Sequence, residues 1–187
     1  QHKAHPRDVP LDPVRRRAEF EAVLTHWAAR HAGWRAARGR YVGCLGQENK
    51  YGVDRRVAAA NMFDILPNEA GLSPSGLETS MISVRAACME MLRKEADSID
   101  RNSALSSLGR IGKPSLPKKV AHRVSLVEAQ FGETFKELQF VCGVAIKVRN
   151  FFVHSSSGDI DMTKVEPFLA FLTNSLEFVF GASDFME

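Results

Sequence analysis

Apolar residues recur along most of this chain at intervals of three and four, which is the period of an α-helix. The segments with this period are residues 12–39, 53–66, 77–96, 117–131, 134–154 and 162–180. No two segments with alternating polar and apolar residues are joined by the short turn of a β-hairpin. The sequence therefore predicts an all-α fold, an antiparallel bundle of five to six helices with short connections.

The start of the first helix is marked by Asp12 and Pro13, a pair that favours helix initiation. Residues 1–11 contain two prolines and have no apolar period, so we expect them to be a linker from a missing upstream region. A chain of 187 residues is long enough to bury one core without disulfides or metals. We therefore predict a single helical domain over residues 12–187.

The composition argues against several classes of protein. The three cysteines contain no CxxC pair, which disfavours both a disulfide framework and a zinc site. No apolar stretch reaches about 18 residues and no signal peptide is recognisable. We therefore expect a cytoplasmic protein with no membrane contact, no metal and no cofactor.

The basic residues are distributed unevenly, although the net charge is only +3. Residues 101–123 carry six basic side chains and no acidic one, a pattern that favours contact with a phosphate backbone. Glycine and proline in this segment indicate a loop with at most a short helix. The predicted RNA-binding residues are Arg110, Lys113, Lys118, Lys119 and Arg123. The alternative is a solvated loop whose charges only keep the chain soluble.

A polar cluster interrupts the apolar helix predicted over residues 134–154. Arg149, Asn150 and His154 stand at its C-terminal end, and Asn150 and His154 share one face because they are four residues apart. A histidine can transfer a proton near neutral pH, and an arginine can bind a phosphate through two parallel hydrogen bonds. These side chains suit attack of a ribose 2′-hydroxyl on the adjacent phosphate, which requires proton transfer and a cation but no metal.

The same spacing is also compatible with a purely structural role. Arg149 would then pair with a carboxylate such as Glu137 or Asp161, and His154 would cap the end of the helix. The directions in which the arginine and the histidine point distinguish the two alternatives.

The pattern R-N-x-x-x-H near the end of a late helix resembles the HEPN superfamily. The surrounding sequence VCGVAIKVRNFFVHSSSGDID, followed by one further apolar helix, resembles the Apea-like branch in particular. Residues 53–66 loosely match an early core helix of that branch, in which an acidic residue is common near the end, and Asp64 stands there. The resemblance covers residues 50–182, and its specific part is the six-residue motif with its flanks.

This resemblance implies a metal-independent endoribonuclease that acts as a homodimer, with two motifs facing each other across an RNA-cleaving cleft. It implies that Arg149 and His154 are catalytic and that Asn150 is the polar residue after the arginine. Glu90 and Lys94 match in form a supporting Glu-x-x-x-Lys pair of some members, but such a pair also stabilises any exposed helix. The biological role it implies is the effector of a prokaryotic phage-defence or toxin-like system, with a sensor domain upstream.

Two other functions remain as hypotheses. One is a non-catalytic HEPN-like module that dimerises or binds a nucleotide or RNA, because a fold can persist after its chemistry is lost. The other is a sequence-specific DNA-binding protein, which is disfavoured because no basic recognition helix follows a short turn.

Overall fold

The computed structural model describes residues 12–67, 70, 78–154 and 160–186, without the side chain of Glu133. The predicted linker, residues 1–11, lies outside them, as does the serine-rich stretch 155–158 after the motif. Regular structure in the described residues is helical throughout, so the all-α prediction is confirmed. The helices are α1 (Arg17–Ala29), α2 (His31–Leu45), α3 (Val53–Asp64), α4 (Thr79–Lys94), α5 (Ile99–Arg110), α6 (Leu116–Phe131), α7 (Leu138–His154), α8 (Met162–Val165) and α9 (Leu169–Met186).

The core lies between α3, α6, α7 and α9, which pack against one another, while α2 packs on α3. Near its centre is Phe180 on α9, which is 1% exposed. Its ring centroid lies 6.1, 5.2 and 5.7 Å from those of Trp34, Tyr41 and Phe63. Aromatic side chains bury more apolar area than any others, so this cluster joins α2, α3 and α9 into one unit.

The first helix differs from its prediction, because residues 12–39 do not form one continuous helix. Asp12 caps only a turn, in which its carboxylate accepts from the backbone N–H groups of Val14 and Arg15 at 2.9 and 3.1 Å. The chain then breaks between α1 and α2 at Arg30, and α2 continues past the predicted end to Leu45. Because of this break, Trp27 of α1 and Arg38 of α2 both contact Asp184 near the C-terminal end of α9.

Two of the buried arginines, Arg38 and Arg55, each pair with a carboxylate from α9. Arg38 donates to both oxygens of Asp184 at 2.8 Å, and Arg55 donates to both oxygens of Glu177 at 2.8 Å. Trp27 donates to the same Asp184 carboxylate at 3.0 Å. A buried guanidinium is tolerated when a carboxylate balances its charge in this bidentate way.

The helices α4 and α5 form a hairpin that packs mainly on itself. The helix α5 corrects a prediction made from the sequence. A loop with at most a short helix was expected in this part of the chain, but α5 continues to Arg110. Its start is capped by Ser98, whose hydroxyl accepts from the backbone N–H of Arg101 at 3.1 Å. Neither helix contains a buried residue, and Met91 and Ile99 are 68% and 88% exposed. The apolar stripe of α4 is therefore not part of the core.

The beginning of α7 also differs from its prediction. The helix starts at Leu138 and not at Thr134, which lies in a 3₁₀ turn over Gly132–Phe135 and donates to the carbonyl of Phe131 at 2.8 Å. No helix in the described part of the chain is both long enough and apolar enough to cross a membrane.

Candidate functional site

The motif occupies the last two turns of α7, which is held on three sides by α3, α6 and α9. Cys142, Ala145, Ile146 and Val148 bury the inner face of this helix. Arg149 and Asn150 are half-buried, whereas His154 is exposed at the end of the helix. The apolar face thus fixes the helix, and its end presents the polar side chains.

The structure brings together the three residues predicted from the motif. Nη1 of Arg149 donates to Oδ1 of Asn150 at 3.0 Å and lies 3.3 Å from Nε2 of His154. When that imidazole nitrogen is unprotonated, it accepts a hydrogen bond from the guanidinium. The arginine and the histidine are therefore close enough to act on one substrate group.

A fourth residue, Asn61 on α3, completes the cluster. Its Oδ1 accepts from Nε and Nη2 of Arg149 at 3.0 and 2.8 Å. Sequence reasoning missed this residue, although one signal was present. Asn61 is a polar residue in the middle of the apolar stripe of α3, between the buried residues Ala60 and Met62.

The partner of Arg149 distinguishes it from Arg38 and Arg55. Arg38 and Arg55 are each balanced by a carboxylate, whereas among the described residues Arg149 contacts two amides and an imidazole. No carboxylate of the described residues takes the role of partner to Arg149 that the alternative predicts, and Asp161 instead pairs with Lys164 at 3.1 Å. An amide carries no net charge, so the partners of Arg149 among the described residues hold its positive charge in place without neutralising it.

The hydrogen-bond capacity of this guanidinium is not exhausted. An arginine has five N–H groups, and Arg149 makes four hydrogen-bonding contacts. Protonation of His154 turns its Nε2 from an acceptor into a donor and releases a second N–H, on Nη1. The edge formed by Nη1 and Nη2 can then bind an anion through two hydrogen bonds.

The predicted supporting residues do not lie in this cluster. Asp64 accepts from Nζ of Lys119, through its backbone oxygen at 2.7 Å and its carboxylate at 3.3 Å. Glu90 and Lys94 form a pair at 3.6 Å on α4, with side chains 71% and 73% exposed. Because α4 packs mainly on α5, the structure matches the alternative of an exposed helix pair.

The predicted RNA-binding residues differ in how far they are exposed to solvent. Arg110, Lys113 and Lys118 are exposed, and Lys119 is half-buried against Asp64. The prediction for Arg123 is wrong. This side chain is 1% exposed, donates to the carbonyl of Ala70 and lies 4.7 Å from the ring centroid of Trp34. It therefore serves the core and cannot reach RNA from this position.

An apolar cleft of about 540 Å³ lies at the opposite end of α7 from the motif. Its aromatic walls are Phe135, Phe171 and Phe178.

The described residues contain no group of three His, Cys, Asp or Glu side chains arranged to hold a metal ion. The described side chains at the motif supply a guanidinium, two amides and an imidazole.

Comparison of the chain with protein-family models, with curated proteins and with solved structures gives no match.

Proposed function

We propose that the protein is a metal-independent endoribonuclease of the HEPN type, with Arg149, Asn150 and His154 in its active site. The observation that supports this most strongly is the clamp on Arg149. A guanidinium held by the neutral amide of Asn61, 3.3 Å from an imidazole nitrogen, combines a fixed positive charge with a group that transfers protons.

The reaction that suits these groups is intramolecular transesterification of RNA. The ribose 2′-oxygen attacks the adjacent phosphorus, its proton passes to a base, and the bond from phosphorus to the 5′-oxygen breaks as that oxygen receives a proton. The products are a 2′,3′-cyclic phosphate and a 5′-hydroxyl. Arg149 stabilises the charge that grows on the phosphate oxygens, and His154 transfers one of the protons.

A second copy of the chain would supply the other proton-transfer group. Cleavage requires both an acid and a base, whereas the described motif of one chain contains a single imidazole, that of His154. A two-fold axis beside the ends of two α7 helices would place two such imidazoles across one phosphate. We therefore propose a homodimer with a composite site, to which Arg110, Lys113 and Lys118 contribute backbone contacts.

The proposed biological role follows from the proposed chemistry. A ribonuclease of this kind would act in the cytoplasm as the effector of a prokaryotic phage-defence or toxin-like system, under control of an upstream sensor domain. It would need neither a metal nor a cofactor.

The alternative is a non-catalytic HEPN-like module that dimerises or binds a nucleotide or RNA. One observation favours it: all three nitrogens of the Arg149 guanidinium already contact the protein. Under this alternative the protein binds RNA or a nucleotide without turnover.

The test of the proposed function compares two substrates in the presence of EDTA. Purified protein is incubated with a 5′-labelled single-stranded RNA and with the 2′-O-methyl RNA of the same sequence. We expect the RNA to be cut with 2′,3′-cyclic phosphate ends and the methylated strand to stay intact, because it lacks the attacking hydroxyl. An intact RNA, or equal cleavage of both strands, would contradict the proposal.

A further inference from the structure

Arg56 is a second cation at the contact between α3 and α7. Its side chain is half-buried, and its guanidinium carbon lies 5.6 Å from the ring centroid of Phe152. Its Nε is buried and has no hydrogen-bond partner. A cation over an aromatic face is attracted to the ring, but a buried N–H group without an acceptor costs about 1–3 kcal/mol. A phosphate arriving from solvent cannot reach this buried Nε, so it would have to contact the guanidinium through Nη1 or Nη2.

The neighbouring arginine shows what Arg56 lacks. Arg55 points into the core, where Glu177 balances its charge. Arg56 is turned by about 100° around the helix, and no ion pair joins it to a carboxylate of the described residues. The guanidinium of Arg56 therefore lies against α7 with no carboxylate from the described part of the chain, and the same holds for Arg149.

The two uncompensated arginines lie along the same contact. Asn61 of α3 meets Arg149 of α7, and Arg56 meets Phe152, so the two helices run antiparallel. Phe152 follows Arg149 by three residues, a rise of about 4.5 Å along α7. If the scissile phosphate of a bound RNA lies at Arg149, a neighbouring phosphate of the same RNA would lie near Arg56.

We propose that Arg56 binds a phosphate that flanks the scissile one, so that the site takes a single-stranded polynucleotide and not a mononucleotide. This inference rests on the proposed function. Phe152 holds the guanidinium in position, and a phosphate oxygen supplies an acceptor for a guanidinium that has no carboxylate partner. Arg56 is thus a substrate-binding residue outside the motif.

The experiment measures how RNA binding depends on salt in a variant in which cleavage is expected to be slow. The parent variant is His154→Ala, and its affinity for a labelled single-stranded RNA is followed by fluorescence anisotropy over a range of NaCl concentrations. Each phosphate contact contributes about 0.7 to the slope of log K against log [salt] on single strands. Adding Arg56→Met to the parent should lower the magnitude of the slope by about that amount.

Two further variants separate lost charge from lost structure. Arg56→Lys retains the charge and should retain the slope. Arg17→Met removes an arginine from α1, which packs mainly on α2 and α9, and should leave the slope unchanged. An unchanged slope in Arg56→Met, with the parent still binding RNA, overturns the inference alone. A parent that binds no RNA at any salt concentration overturns the proposed function as well.

Discussion

Replacement of His154 by alanine is expected to slow RNA cleavage by about 10²- to 10⁴-fold, the usual effect of losing a general acid or base. His154 is exposed at the end of α7 and lies 3.3 Å from Arg149. Its removal costs little packing, so the free energy of unfolding should change by no more than about 0.5 kcal/mol. The measurement is the initial rate of cleavage of a labelled RNA, beside thermal unfolding of the same preparation.

The matched control is His26→Ala. His26 is also exposed and also lies in the last turn of a helix, but on α1, which packs on α2 and α9. We expect this variant to cleave at the wild-type rate. If His154→Ala cleaves as fast as His26→Ala, then the imidazole at the end of α7 is not the proton-transfer group.

Replacement of Asp184 by alanine is expected to have the largest effect on stability, about 3–5 kcal/mol, because it leaves a buried guanidinium without its counter-charge. The side chains of Arg38 and Asp184 are 6% and 5% exposed. Trp27 would lose its hydrogen-bond acceptor at the same time. Urea unfolding followed by circular dichroism measures the loss.

Glu21→Ala is the control for this effect. Glu21 pairs with Arg17 at 2.7 Å, but the two side chains are 60% and 81% exposed. Because water screens such a pair, its loss should cost less than about 1 kcal/mol. Equal losses in the two variants would show that burial of the Asp184 pair does not determine its contribution.

The sequence predicted the helical class of the fold better than the arrangement of the helices. The period of three and four identifies an apolar face, as on α4, but it does not say which element covers that face. In the structure α4 packs mainly on α5 and stays exposed. The break at Arg30 is not marked by glycine or proline, and it is associated with contacts to Asp184, which lies 154 residues further along the chain.

The site was predictable to the extent that it is local. Arg149, Asn150 and His154 lie within one stretch of α7. Helix geometry places Asn150 and His154 on one face, and the long side chain of Arg149 reaches both. Asn61 lies 88 residues away in the sequence, and only the packing of α3 on α7 places it there. Arg123 fails for a related reason, because a count of basic residues cannot distinguish an exposed side chain from one buried under Trp34.

We propose that Arg149 can bind a phosphate because its partner, Asn61, is neutral. The most direct test is Asn61→Asp, which keeps the shape of the clamp and adds the carboxylate that Arg38 and Arg55 already have. The measurement is the affinity for the 2′-O-methyl RNA and the cleavage rate of the unmodified RNA, with Asn61→Ala as the control.

We expect Asn61→Asp to fold with at least wild-type stability, since a bidentate ion pair replaces the amide contact. Its cleavage rate should fall by about 10²-fold, the effect of losing one charge-stabilising group, and RNA affinity should fall further than in Asn61→Ala. Wild-type binding and cleavage in Asn61→Asp would contradict the claim.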